Sequence, residues 1–229
     1  MRIGGIQKLT LLDYPGKVAC TVFTVGCNFR CPFCHNASLV THTEDAPSLG
    51  IEDVLSFLKK RQGILEGVCL TGGEPLMWKE TTELLKEIKA LGYSVKLDTN
   101  GSFPTRLAEV MEAELADYIA MDIKSSPQNY ALAAGCENAL ESVKESVQLL
   151  LNGKIPFEFR TTVVAGLHTP ADIEQIAAWI QGAARYYLQG FRDSGDLIGS
   201  GLAAFTPEEM TELLSAARKY LPNTEIRGE

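Results

Sequence analysis

Short apolar runs rich in β-branched residues alternate with amphipathic stretches along almost the whole chain. Six runs predict strands, and the stretches between and after them predict helices; in residues 83–88, for example, apolar positions recur at helical spacing with charges on the other face. The predicted strands are residues 18–25, 67–71, 94–99, 118–123, 156–164 and 184–189. The predicted helices are residues 51–61, 79–91, 105–113, 139–151, 170–180 and 207–220.

Repeated strand–helix units predict an α/β protein with a parallel sheet and helices outside it. Six units are too few for an eightfold barrel, and they fit either a partial barrel or a doubly wound open sheet. In both folds, chemistry gathers at the carboxyl ends of the strands. Polar or glycine-rich segments follow the first four predicted strands, namely CNFRCPFCHN, TGGEP, DTNG and DIKSS. The sequence therefore predicts a site at this edge, within a single domain spanning residues 1–229.

Composition narrows the class of protein. The chain has 229 residues, 45% hydrophobic and 22% charged, with a net charge of −8 and no run of Lys or Arg. This balance is typical of a soluble globular protein and disfavours a protein whose main function is to bind nucleic acid. The apolar segment of residues 18–27 is too short to cross a bilayer, so we expect no membrane association and a cytoplasmic location.

Three cysteines stand within eight residues, Cys27, Cys31 and Cys34, with no fourth one nearby. Thiolates select iron–sulfur clusters, zinc or cuprous copper, and a closed site of the first two kinds has four protein ligands. Three thiolates can hold three irons of a 4Fe–4S cluster, which leaves the fourth iron open to a cofactor or substrate.

A zinc site is the alternative, with His35 as the additional ligand. Adjacent Cys34 and His35 are poorly placed to bind one tetrahedral ion, and His42 and His168 have no ligand-like spacing. Cys20 and Cys69 lie in apolar runs and are predicted to be buried thiols, and Cys136 lies in a predicted loop without other ligands.

The spacing Cys-x3-Cys-x2-Cys, with Phe33 before the last cysteine, resembles the signature of the radical S-adenosylmethionine (SAM) superfamily. The GGEP motif of residues 72–75 after the second predicted strand matches a second motif of that superfamily, and the resemblance covers most of the chain. CHN after the cysteines, DTNG, D-x-K and the opening segment 6–36 resemble the activases of glycyl radical enzymes, in particular those of anaerobic ribonucleoside-triphosphate reductase. The match is closer before Lys124 than after it.

The resemblance implies a partial (β/α)6 barrel holding one 4Fe–4S cluster on the three cysteines, with SAM chelating the open iron. It implies reductive cleavage of SAM and formation of a glycyl radical on a partner enzyme. Anaerobic ribonucleotide reductase is the expected partner, and flavodoxin or ferredoxin the expected electron donor. Two alternatives stay open. The protein is an activase for another glycyl radical enzyme, or a radical SAM enzyme that acts on a small molecule or peptide. A non-catalytic iron–sulfur or zinc module is disfavoured by GGEP. The chain has no cysteine-rich insertion for a second cluster.

The resemblance also assigns roles to single residues. Asp122 and Lys124 alternate with Ile123 along a predicted strand, so both face one side, and an inward lysine needs an acid partner; we expect these two to be catalytic. The predicted cofactor contacts are Phe33, Cys34, His35, Gly72, Gly73, Glu74, Pro75, Asp98, Asn100, Asp122, Lys124 and Arg160. The glycine-rich segment 191–205 is expected either to cover the site or to meet the partner, and segment 191–229 to face the partner.

Overall fold

A computed structural model describes residues 1–41, 43–44 and 48–228, so that His42 lies outside the described residues. Eight strands form one sheet in which the spatial order equals the chain order. The strands are β1 (Ile3–Thr10), β2 (Ala19–Thr24), β3 (Gly67–Gly72), β4 (Ser94–Thr99), β5 (Tyr118–Asp122), β6 (Phe157–Val163), β7 (Tyr186–Gly190) and β8 (Thr224–Arg227). The helices are α1 (Ala37–Thr41), α2 (Ile51–Lys59), α3 (Thr81–Ala90), α4 (Pro104–Glu112), α5 (Tyr130–Ala134), α6 (Leu140–Asn152), α7 (Pro170–Trp179) and α8 (Pro207–Arg218).

Strands β2 to β8 pair in parallel, and β1 pairs with β2 in the antiparallel direction. The six predicted strands correspond to β2–β7, and the six predicted helices to α2, α3, α4, α6, α7 and α8. Each parallel strand lies beside the next one in sequence, and at least one helix connects each to the next. This arrangement confirms the predicted partial barrel. Among the described residues, no helix is long and apolar enough to pass through a membrane.

Sequence analysis did not predict strands β1 and β8 or helices α1 and α5. Strand β1 contains Gly4 and Gly5 and is only partly buried, so it has neither strong β propensity nor clean alternation. Strand β8 has four residues, two of them charged, and α1 and α5 have five residues each. Segments this short carry too few residues for a periodic signal.

The short strand β8 is held to the sheet by an ion pair whose carboxylate is buried. The Arg227 guanidinium donates from Nη1 and Nη2 to the two carboxylate oxygens of Glu158, at 2.7 and 3.1 Å, and lies over the Tyr187 ring. Glu158 is fully buried and also accepts a hydrogen bond from the Tyr118 hydroxyl at 2.8 Å. Cross-strand side-chain contacts therefore stabilise this edge where apolar packing is limited.

The turn around Tyr14 closes the opposite end of the barrel. Tyr14 is buried, its ring centroid lies 6.5 Å from that of Tyr118, and its hydroxyl donates to the Val95 carbonyl oxygen at 3.4 Å. Val95 and Tyr118 lie at the beginnings of β4 and β5. The hairpin loop between β1 and β2 thus packs under the amino ends of the parallel strands and leaves their carboxyl ends for chemistry.

Segment 191–205 packs against the loop that carries the cysteines. The Gly199 N–H donates to the Pro32 carbonyl oxygen at 2.7 Å, and the Ser38 N–H donates to Asp196 Oδ2 at 3.1 Å. The Phe191 ring stacks on His35 with a centroid distance of 5.7 Å. These contacts lay the segment against the cysteine loop.

Candidate active site

The carboxyl ends of the parallel strands surround a cavity of about 230 Å³. Every predicted site residue except Glu74 and Pro75 lines it, although these residues come from five separate parts of the sequence. Those that line the cavity are Cys27, Cys31, Phe33, Cys34, His35, Gly72, Gly73, Asp98, Asn100, Asp122, Lys124 and Arg160. The topology therefore gathers the four polar segments at one edge, as the strand pattern predicts.

The three cysteines at this cavity are free thiols. The Cys27 sulfur accepts hydrogen bonds from the Phe29 N–H at 3.3 Å and from Asn100 Nδ2 at 3.6 Å, contacts that also suit a thiolate. Burial raises the pKa of the Cys27 thiol to about 12 and that of Cys31 to about 11. A bound metal would have to displace these protons, because cysteine ligates metals as the thiolate.

The cysteine loop is held between two backbone segments that approach it closely. The Glu74 N–H donates to the Gly26 carbonyl oxygen at 2.8 Å, and a Cβ atom on Gly73 would lie 1.9 Å from that same oxygen. On the other side, the Arg30 N–H donates to the Ala134 carbonyl oxygen at 2.9 Å, and a Cβ on Gly135 would lie 2.3 Å from the Arg30 oxygen. Gly73 is thus required by contact with the cysteine loop, and Gly72 by its φ of 118° and by contact with Thr24 of β2, independently of any ligand.

Gly73→Ala is expected to lower the melting temperature and to displace the cysteine loop. The added methyl group collides with the backbone of Gly26, which cannot move away as the end of a flexible side chain would. Gly5→Ala is the matched control, because no atom lies within 4 Å of a Cβ at Gly5. Thermal unfolding of both variants by circular dichroism measures the effect, and equal melting temperatures would contradict the close approach.

Glu74 lies behind the cavity and positions one of its walls. It is fully buried, and its carboxylate accepts hydrogen bonds from the Leu76 N–H (2.9 Å), the Thr99 hydroxyl (2.9 Å) and the Asn100 N–H (2.7 Å). Burial raises its pKa to about 7, against the opposing effect of these donors. The carboxylate therefore ties the end of β3 to the end of β4 and orients Asn100 towards Cys27.

Pro75 is likewise buried outside the cavity, where it begins a single 3-10 turn, Pro75–Met77. For the last two residues of GGEP, the structure thus shows backbone positioning in place of the predicted cofactor contact. Sequence analysis could not separate the two roles, because both require an unusual residue beside the site.

Five charged side chains of alternating sign cross the barrel from β4 to the segment after β5. Lys96 bonds to Asp98; the Arg160 guanidinium donates to Asp98 Oδ2 at 3.2 Å and to Asp122 Oδ1 at 2.8 Å. Lys124 Nζ donates to Asp122 Oδ2 at 3.1 Å. The inward orientation expected for the pair Asp122 and Lys124 is present in this network, and Arg160 has two anionic partners in it.

The network keeps its carboxylates ionised. Burial by itself would raise the pKa of Asp122, but Arg160 and Lys124 beside it hold that pKa well below its usual range. Arg160 and Lys96 lower the pKa of Asp98 in the same way. Three cations and two carboxylates leave one positive charge in excess, which suits a ligand that brings a carboxylate into the cavity.

Comparison with known proteins gives the family of this chain. The model of the radical SAM superfamily matches residues 21–180. The chain belongs to the radical SAM superfamily. A protein of Methanocaldococcus jannaschii named for glycyl-radical enzyme activation is 30% identical over 98% of this chain and 95% of its own length. The pyruvate formate-lyase-activating enzyme of Listeria monocytogenes is 26% identical over 79% of this chain and 76% of its own length.

A solved structure supports the fold. SuiB of Streptococcus suis, bound to S-adenosylmethionine, superposes with a TM-score of 0.71 at 12% identity, over 90% of this chain and 48% of that one. The chain thus spans about half the length of that protein, and the likeness concerns the barrel alone.

As a radical SAM enzyme, the protein uses a 4Fe–4S cluster and SAM. The residues present fit both groups. Three thiols that form no disulfide line one cavity, and the positive charge in excess there suits the SAM carboxylate. For the zinc alternative, the histidine beside the cysteines is His35, whose ring stacks on Phe191. His168 is occupied elsewhere, since its ring nitrogens contact the Val164 N–H and the Lys124 carbonyl oxygen.

Sequence analysis missed several residues of the site. Lys96, only 2% exposed, begins the charge network. Lys96 and Asp98 alternate with the apolar residues Val95 and Leu97, and this alternation was an available signal. Thr162 and Gln189 also line the cavity. They follow no motif, and only the register of β6 and β7 brings them to the site.

Proposed function

We propose that this radical SAM enzyme is an activase that generates a glycyl radical on a partner enzyme, with anaerobic ribonucleotide reductase as that partner. The observation that carries the proposal is the similarity to the M. jannaschii protein named for glycyl-radical enzyme activation, which extends over nearly the full length of both chains. The resemblance of residues 6–36 to activases of anaerobic ribonucleotide reductase supports the choice of partner.

When bound, the cluster and SAM supply one-electron cleavage of a carbon–sulfur bond and a 5′-deoxyadenosyl radical that takes a hydrogen atom from the target glycine. The chain's own part is placement. Arg160 and Lys124 offer cationic groups for the SAM carboxylate, Asp98 and Asp122 hold those cations in position, and Phe33 and His35 flank the space for the adenine. Such placement decides which hydrogen the radical meets.

The proposal also names the electron donor, the cellular location and the extent of the domain. Flavodoxin or ferredoxin is the proposed electron donor, and the cytoplasm the proposed location. Residues 1–229 are proposed to act as one radical SAM domain whose segment 191–229 faces the partner; contacts of segment 191–205 with the cysteine loop place part of it beside the reactive cavity.

The test is anaerobic reconstitution of the cluster, followed by reduction and addition of SAM in the presence of one candidate partner at a time. Anaerobic ribonucleotide reductase and pyruvate formate-lyase are the two partners to compare. We expect a glycine-centred doublet in the electron paramagnetic resonance spectrum with ribonucleotide reductase. The doublet with pyruvate formate-lyase alone would reassign the partner, and SAM turnover without a doublet on either would favour a small-molecule or peptide substrate.

A further inference from the structure

A groove of about 440 Å³ opens beside the reactive cavity, at the ends of β7 and β8. This junction groove is lined by Gly190, Arg192, Ser194, Arg227 and Gly228, and it shares His35, Thr162 and Gln189 with the cavity. Its volume lies within the range of roughly 300–1,000 Å³ that is usual for ligand clefts. Because three residues line both spaces, a molecule in the groove reaches the cavity directly.

Two polar side chains at the junction have no partner in the fold. Among the described residues, neither the Thr162 hydroxyl nor the Gln189 amide makes a side-chain hydrogen bond, although both are half-buried. Most half-buried polar groups in this cavity are, by contrast, paired within the chain, as in the charge network. The Gln189 amide can donate and accept at once, which is the pattern that complements a peptide group.

The cations of the junction groove are already engaged. The Arg192 guanidinium donates to the Gly228 carbonyl oxygen at 2.9 Å, and Arg227 pairs with both oxygens of Glu158. No acidic side chain of the described residues lines the groove. An occupant is therefore recognised by hydrogen bonding and shape more than by its charge.

The glycines leave part of the groove free of side chains. Gly190 does not need a positive φ angle, and a Cβ there would meet only the Gly228 carbonyl oxygen within 4 Å, at an ordinary contact distance of 3.7 Å. Neither backbone conformation nor packing within the chain demands glycine at this position. The lack of a side chain at Gly190 leaves room for another backbone to lie along this part of the groove.

We infer that the junction groove binds an extended polypeptide segment of the partner, read through its main chain, and that Gln189 bonds a peptide group beside the target glycine. This inference rests on the proposed function and adds to it the route by which the substrate enters. A segment lying along Gly190 and Gly228 would pass Gln189 and Thr162 and present its glycine to the cavity.

The test measures glycyl radical formation against partner concentration for Gly190→Ala, Gly190→Leu and Gln189→Leu. We expect Gly190→Ala to resemble the wild type, since its Cβ has room, and Gly190→Leu to obstruct the segment and raise the apparent KM for the partner at least about 10-fold. Gln189→Leu loses one neutral hydrogen bond, so its KM should rise about 3- to 10-fold with a smaller change in kcat.

Ala178→Leu is the control, since Ala178 is exposed on α7 and lines neither space. Circular dichroism and iron content verify that each variant is folded and loaded. An unchanged partner KM in both Gly190→Leu and Gln189→Leu would overturn the inference while leaving the activase function intact. A raised SAM dissociation constant in Gln189→Leu with an unchanged partner KM would assign Gln189 to the cofactor, against the inference. No radical on any partner with wild-type protein would instead contradict the proposed function itself.

Discussion

Replacing Cys27, Cys31 or Cys34 with alanine is expected to abolish cluster-dependent cleavage of SAM. Each change removes a ligand from one iron, and the cavity offers no fourth cysteine to replace it. Loss of a hydrogen bond to a metal ligand already costs roughly 10–100-fold in metal affinity or activity, and loss of the ligand itself should exceed that range. Iron content after anaerobic reconstitution and the rate of 5′-deoxyadenosine release measure the effect.

Cys20→Ala is the matched control for these variants. Cys20 is fully buried in β2, and burial raises the pKa of its thiol to about 12, as expected for a core residue without a metal. We expect the variant to keep its cluster and its SAM cleavage. Retained cleavage after any one of the three loop substitutions would contradict the ligand assignment, and iron loss in Cys20→Ala would contradict the core assignment.

Arg160→Met is expected to lower the free energy of unfolding by about 3–5 kcal/mol, the usual cost of removing one partner from a buried ion pair. Arg160 is the central cation of the network, 13% exposed, and its removal leaves Asp98 and Asp122 on adjacent strands with one lysine each in place of two cationic partners. Urea unfolding measures the loss. Lys86→Met, which removes the exposed pair of Lys86 with Glu83 at 3.6 Å, is the control and should cost at most about 0.5 kcal/mol.

The stabilisation by Arg160 should also depend on pH. In the folded protein the pKa values of Asp98 and Asp122 are lowered, so their pairing stabilises the fold above the unfolded-state pKa of about 3.9 and is lost as the pH falls below it. We therefore expect the difference in stability between wild type and Arg160→Met to be full at pH 7 and to narrow below about pH 4. A difference that stays constant down to pH 3 would show that Arg160 stabilises by packing alone.

The agreement between sequence and structure is best where the information is local. Strands β2 to β7 were predicted because each contains a short run of apolar or β-branched residues. The start of α8 is marked in the sequence by the capping box of Thr206 and Glu209, with Pro207 at the first helical position. The cysteine loop was predicted from spacing alone, since three thiols within eight residues define their chemistry wherever the chain places them. Strand β8 was missed because its attachment depends on Glu158, which is distant in sequence.

What the sequence by itself determined, then, is the chemistry of the site and the edge of the sheet where it gathers. Motif residues follow the strands, and parallel strands bring their carboxyl ends together whatever their side chains are. Only the tertiary structure decided which of these residues face the cavity: it placed Glu74 behind the wall, brought Lys96 into the charge network, and left Gln189 without a partner at the mouth of a groove. These outcomes depend on strand register and on contacts between distant segments, which the local order of residues does not encode.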